Sequence, residues 1–289
     1  MKKGLFAVLI ALALLAITVG IAGAITNGTP DGENHPYVGL LIFGVDTDDG
    51  FIPYWRCSGA LIAPNVVLTA GHCTDGATAA RVWFEEGPVA WGSWDPATNP
   101  TCAGETGYPC TGDAEGTPYT NLDYRSDENP YGGGNGLPAF SYRDVGIVVL
   151  DKPIKKKVVR EYAKLPEAGL VDTLLNKTDV DFVGYGVQEM VHGGGPPYWT
   201  GLRIRLYAPS ELVSGEFVHS DEFMRLALNP GGGSGGTCFG DSGGPDLLGG
   251  TDTVLAVNSY VTNYNCAGVG YSSRVDIPEI LEWIDGYMP

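Results

Sequence analysis

Ser242 lies in Gly240-Asp241-Ser242-Gly243-Gly244-Pro245, a hydroxyl set among glycines. There the backbone can turn sharply and aim its N–H groups at a reacting oxygen. A serine at its ordinary pKa is a weak nucleophile; it needs a base beside it and a third group to orient that base. The chain has four histidines, His35, His72, His192 and His219. His72 ends the apolar run Leu68-Thr69-Ala70-Gly71-His72-Cys73, beside a cysteine that can fix its position. In Arg143-Asp144-Val145-Gly146-Ile147-Val148-Val149-Leu150, Asp144 sits at the mouth of a strongly apolar strand, where burying a carboxylate demands a partner. Nucleophile, base and orienting acid are the parts of acyl-transfer chemistry, and here they run in the order His, Asp, Ser.

The serine motif also fits G-x-S-x-G, the nucleophile elbow of α/β-hydrolases. That fold needs its acid and then its histidine after the serine, and no histidine follows Ser242. Chain order therefore excludes it.

The elements that must position these residues read as strands. Forty-three Gly, 20 Pro and 18% charged residues suit short strands joined by turns. Apolar or alternating runs recur at Tyr37 to Phe43, Gly59 to Ile62, Val66 to Thr69, Ala80 to Phe84, Val145 to Leu150, Val180 to Val183, Leu202 to Tyr207 and Val254 to Tyr260. A helix is expected at the end, with Asp276 as its cap and Pro278 in its first turn before Ile280, Leu281 and Ile284. An all-β fold of two barrels with a terminal helix fits this order. Asp95 to Ser141, rich in Gly, Pro and acidic residues, reads as a long surface insertion. Lys152 to Lys164 reads as the crossing between the halves.

The first residues form an address. Lys2 and Lys3 precede an apolar stretch from Leu5 to Val19, and Ala22-Gly23-Ala24 supplies a small-residue cleavage pattern, so 1–24 is expected to be a signal peptide. The uncharged stretch from Gly4 to Ile25 is also long enough for an anchor, but the processing pattern favours export and no membrane association after cleavage. A formal charge of −17 opposes binding to nucleic acid or anionic lipid. Six cysteines, at 57, 73, 102, 110, 238 and 266, all lie in the exported part, where disulfides form. Spacing leaves their pairing open, and the absence of CxxC speaks against a zinc ribbon or a thioredoxin-type site.

Taken together, LTAGHC, RDVGIVVL and GDSGGP resemble the chymotrypsin-like, or trypsin-family, serine proteases. The resemblance covers nearly all of the chain beyond residue 24. It implies two six-stranded antiparallel β-barrels with the site between them, the first over about 25–155, the second over about 156–275, and a helix at about 276–288. It also implies the roles: Ser242 attacks the scissile carbonyl, His72 carries the proton, and Asp144 holds the imidazole. The N–H groups of Gly240 and Ser242 would make the oxyanion hole. The family's bridges match Cys57 with Cys73 and Cys238 with Cys266, leaving Cys102 and Cys110 to each other. In the family a freed Ile or Val amine pairs with the Asp before the nucleophile, here Ile25 with Asp241. Ile25-Thr26-Asn27-Gly28 departs from the family's Ile-Val-Gly-Gly at its second and third positions, and no Arg or Lys precedes Ile25. Signal cleavage after Ala24 would itself create the activating terminus.

The family's pocket floor falls on Gly236, followed by Thr237, so no carboxylate stands there to pair with Lys or Arg. Ser259-Tyr260-Val261 resembles the family's Ser-Trp-Gly wall, with Ser259 bonding the substrate backbone and Val261 narrowing the entrance. The resemblance thus implies a secreted, monomeric serine endopeptidase that cuts proteins or peptides after small or medium apolar residues, with no cofactor or metal. The alternative is a catalytically silent relative that binds a partner.

Overall fold

A computed structural model describes residues 25–89, 111–124, 143–192, 195–213, 222–229 and 235–289. The signal segment 1–24, Cys102, Cys110 and His219 lie outside the described residues.

The first half closes into a six-stranded antiparallel barrel. Its strands are Val38–Thr47 (β2), Gly50–Ala63 (β3), Val66–Thr69 (β4), Ala79–Trp83 (β5), Ala114–Thr120 (β6) and Gly146–Leu150 (β7), in the spatial order β2-β3-β4-β7-β6-β5. Leu40, Leu61, Val67, Val82, Ile147 and Val148 are fully buried in its core; each such side chain contributes roughly 1.5–3 kcal/mol by leaving water. The register of β2 on β3 shifts between Phe43 and Gly44. A Cβ on Gly44 would lie 2.0 Å from the Ile52 carbonyl oxygen, so the shift needs glycine.

The second half is a seven-stranded sheet in the order β1-β11-β8-β13-β14-β15-β12. Its members are Thr29–Pro30 (β1), Asp179–Gly184 (β8), Leu206–Glu211 (β11), Phe223–Leu228 (β12), Pro245–Leu248 (β13), Val254–Val261 (β14) and Gly268–Arg274 (β15), while Glu189–Val191 (β9) and Tyr198–Thr200 (β10) pair as a separate hairpin. The sheet curls until its ends meet: Leu212 bridges to Leu226, and the Val213 N–H donates to the Arg225 carbonyl at 3.1 Å. Among the described residues this half is therefore a sheet curled to near closure, where the resemblance implies a second six-stranded barrel. Six strands make the curl, and β1, from the N-terminal arm, is added beside β11. Its interior packs Ile25, Phe182, Leu206, Ala208, Met224 and Leu226. The outer face joins the first core through Leu247, Val254 and Val257, and the terminal helix Pro278–Asp285 (α2) adds Ile280 and Ile284.

Several sequence expectations change in detail. The stretch from Asp95 to Ser141 is not wholly a surface insertion, because β6 within it closes the first barrel between β5 and β7. Its sequence AEGTPYT has little apolar alternation, so its strand is dictated by pairing with neighbours. Leu202 to Tyr207 enters its strand only at Leu206 and runs on to Glu211. Asp276 does not cap α2, whose N-cap is Ile277 with Pro278 behind it. The Asp276 carboxylate instead accepts from Arg274 Nε at 2.9 Å and from the Val171 N–H at 2.7 Å, bonds that a buried charge needs more than a helix end does.

Candidate active site

His72 stands in a one-turn helix, Gly71–Thr74 (α1), directly after β4. The turn is pinned from several sides. Cys73 is bridged to Cys57 in β3, its carbonyl accepts from Trp55 Nε1 at 2.8 Å, and Thr74 Oγ1 meets Thr120 Oγ1 of β6 at 2.8 Å. Asp144 lies just before β7, whose pairing with β4 brings it to the same end of the barrel.

The Asp144 carboxylate is fully buried and takes three donors: the His72 N–H at 2.7 Å, His72 Nδ1 at 2.8 Å, and the Ser259 hydroxyl. A carboxylate only accepts, so Nδ1 carries the proton and Nε2 is left as the basic nitrogen. The His72 side chain keeps 21% exposure, so that nitrogen stays within reach of a ligand. Burial disfavours the imidazolium, but the neighbouring carboxylate outweighs it and the pKa of His72 is raised above 6.5. Burial likewise opposes the Asp144 charge, yet the His72 charge and the three donors hold its carboxyl below the ordinary value.

Ser242 is half-buried in a tight loop before β13. Two flanking glycines have positive φ, +96° at Gly240 and +75° at Gly243. A Cβ on Gly243 would fall 2.0 Å from Thr69 Oγ1 and 2.6 Å from the Ala70 nitrogen, so glycine lets the serine loop dock against the segment that ends in His72. Further bonds fix the approach: the Ser58 N–H donates to the Ser242 carbonyl at 2.8 Å, and Thr69 Oγ1 donates to the Ser58 carbonyl at 2.8 Å. Ser58 Oγ donates to the Gly240 carbonyl at 3.0 Å and accepts from the Tyr185 N–H at 2.9 Å.

Peptide planes around the serine are set as well. The Phe239 carbonyl accepts from the Val187 N–H and the Asp241 carbonyl from the Gly244 N–H, both at 2.8 Å. In a planar trans peptide the following N–H points the opposite way, so those of Gly240 and Ser242 are turned away from these bonds.

Asp241 is fully buried, and its carboxylate accepts from the Gly186 N–H at 2.8 Å and the Cys238 N–H at 2.9 Å. Burial dominates and pushes its pKa up to about 7, against those two bonds and the Arg56 charge. Ile25 is fully buried in the second core, and Thr26 exchanges both backbone hydrogen bonds with Gly236 at 2.9 and 3.0 Å. Gly236 and Thr237 are therefore buried against the N-terminal arm, while Tyr260 and Val261 are half-buried. Cys238 is bridged to Cys266.

Sequence reasoning assigned Ser259 to the substrate backbone and missed its hydroxyl on Asp144; a hydroxyl inside the apolar run Val254–Val261 was the available signal. It also missed Ser58, for which no motif speaks, and the fully buried Asp246. Neither carboxylate oxygen of Asp246 has a hydrogen-bond partner among the described residues, although Ser272 and Asn258 face it. Cys57, His72 and Cys73 offer ligand atoms within 4.8 Å of one another, but the two sulfurs form the disulfide and supply no thiolate to a metal.

Known proteins share this arrangement of chain. Human heparin binding protein superposes with a TM-score of 0.58 at 17% identity, over 91% of this chain and 96% of that one. HL collagenase gives 0.58 at 17%, over 91% and 97%. At such identity these likenesses show the fold alone. In sequence, Trypsin theta of Drosophila melanogaster is 24% identical over 294 residues, covering 94% of this chain and 95% of its own. Serine protease 1 of the same organism is 23% identical over 271 residues, covering 91% and 85%. The Trypsin family model matches residues 27–91 and 130–284, a span that includes His72, Asp144 and Ser242. The chain belongs to the trypsin family.

Proposed function

We propose that this chain is a secreted, monomeric serine endopeptidase, made with a signal peptide over 1–24 and working as a protease unit over 25–289. The observation that carries the reading is the 2.8 Å bond from His72 Nδ1 to the buried Asp144, with the Ser242 loop docked against Thr69 and Ala70 beside it. Ser242 Oγ attacks the scissile carbonyl carbon as its proton passes to His72 Nε2. The carbonyl oxygen becomes an oxyanion facing the N–H groups of Gly240 and Ser242, each worth roughly 3–4 kcal/mol in the transition state by analogy with other proteases. Collapse breaks the C–N bond, Nε2 returns the proton to the leaving amine, and an acyl-Ser242 ester remains. Water then attacks the ester by the same proton route and frees the acid.

Asp241 supports the activation reading. The Arg56 charge does not offset the burial of this acid, and the Ile25 nitrogen, uncharged while it is in a peptide bond, gains a positive charge once cleavage after Ala24 frees it. Pairing the two would hold the Asp241–Ser242 peptide in place. For specificity, the absence of a carboxylate at Gly236 and the narrowing that Val261 would bring to the entrance favour small or medium apolar side chains before the cut.

The test is labelling of the purified secreted protein with a fluorophosphonate, followed by mapping of the adduct. One adduct on Ser242, absent from Ser242→Ala, is expected. An unlabelled protein whose N-terminus is Ile25 overturns the reading in favour of the silent binder.

A further inference from the structure

Three aromatic rings from three separate segments meet at the surface next to the nucleophile. Phe239 precedes Gly240 in the serine loop, Trp199 lies in β10, and Tyr264 follows β14. Their ring centroids are 5.5 Å apart for Phe239 and Tyr264, and 6.4 Å for Trp199 with each of the others. They are not a core: Phe239 is 43% and Tyr264 53% exposed. An aromatic cluster that served only packing would be buried, because uncovered rings forgo most of the gain from leaving water.

The segments that carry the rings are nevertheless tied together. Trp199 Nε1 donates to the Tyr264 carbonyl at 2.9 Å, tying β10 to the turn after β14. That turn is closed by Asn263, whose Nδ2 donates to the Ala267 carbonyl at 2.6 Å and whose Oδ1 accepts from the Asn265 N–H at 3.0 Å. The Cys238–Cys266 bridge joins the turn to the serine loop, and the Val187 N–H holds the Phe239 carbonyl. An exposed apolar wall with its backbone fixed on every side is preorganised for a ligand, since little freedom is lost on binding.

We propose that Phe239, Trp199 and Tyr264 form a subsite for an aromatic or bulky apolar side chain of the peptide substrate, outside the pocket that takes the residue before the cut. This rests on the protease reading. Phe239 is three residues from Ser242, a reach of at most about 11 Å, and an extended substrate advances roughly 3.3 Å per residue, so a side chain within about four positions of the scissile bond meets the wall. The ring edges and faces suit another aromatic ring, which prefers edge-on or offset contact.

The test compares peptides that differ only by Phe or Gln at each position within four residues of the cut, using the full secreted protein counted by Ser242 labelling. Misfolded molecules then lower the count and leave the ratio of kcat/KM for the two peptides untouched. At one position away from the residue before the cut, Phe is expected to be favoured about tenfold. The ratio should fall towards one in Phe239→Ser with Tyr264→Ser, persist in Tyr264→Phe, and persist in Tyr198→Ser, whose ring is exposed and outside the cluster. A wild type that labels but shows no such preference, or a double variant that keeps it, overturns the proposal and spares the protease reading. A properly processed wild type that does not label overturns both.

Discussion

In the proposed reaction His72 must be neutral at Nε2 before it takes a proton from Ser242, so its raised pKa would set where turnover begins. The acid limb of the kcat/KM profile is expected to have an apparent pKa above 6.5, read from rates on one peptide across pH; a limb below that value would contradict the pairing with Asp144. The same shift has an opposite sign for stability. A histidine whose folded value is raised stabilises fully below its unfolded value, and that contribution is lost as pH rises through the folded value. The proposed catalysis would therefore operate where the ion pair has ceased to help the fold. Asp246 titrates in the same sense. Burial raises its pKa well above 3.8, so the folded chain binds a proton that the unfolded chain releases, and stability falls as pH rises from the unfolded value towards the folded one. Asp246→Val is expected to stabilise by about 1–3 kcal/mol at neutral pH and to flatten that decline, as judged by urea midpoints at several pH values.

At the scale of elements, α1 is too short to hold its shape unaided, and the Cys57–Cys73 bridge and the Trp55 indole supply what its length does not. Replacing both cysteines by alanine opens a loop with a sequence separation of 16 and is expected to cost about 3 kcal/mol in denaturant unfolding, with a fall in kcat as His72 loses its fixed place. The strands that carry the site were the legible ones. The apolar runs before His72 and after Asp144 read directly as β4 and β7, and the glycines around Ser242 declared a tight loop. β6 was not legible, because the only residue it buries fully is Gly116, which a side chain would push against the Val149 carbonyl oxygen at 2.6 Å. β12 alternates through Met224, Leu226 and Leu228, a period-2 signal that was present in the sequence and was not read as a strand. What stayed hidden at the site depends on register between distant strands. Ser259 reaches Asp144 from 115 residues away, and Asp246 is buried because β13 sets it between Phe182 and Ala256.

Across the whole molecule, one buried cation ties the parts together. Arg205, 1% exposed, donates through Nε to Asp31 at 2.8 Å, through Nη2 to the Gly32 carbonyl at 2.7 Å, and through Nη1 to the Phe84 carbonyl at 3.0 Å. It thus joins the N-terminal arm and the first barrel to its own position at the start of β11. Asp31 also meets His35, and together these partners outweigh burial and hold its carboxyl below the ordinary value. Arg205→Met leaves that carboxylate without its guanidinium and is expected to cost about 3–5 kcal/mol, measured by denaturant unfolding. The arm so anchored also pairs as β1 with β11 and exchanges bonds between Thr26 and Gly236. With Ile25 and Thr26 so held, the activation by cleavage after Ala24 proposed above would need a local adjustment rather than a folding step, which has a consequence in time. Activity recorded during processing should rise in step with cleavage, and its progress curve should have no sigmoid foot.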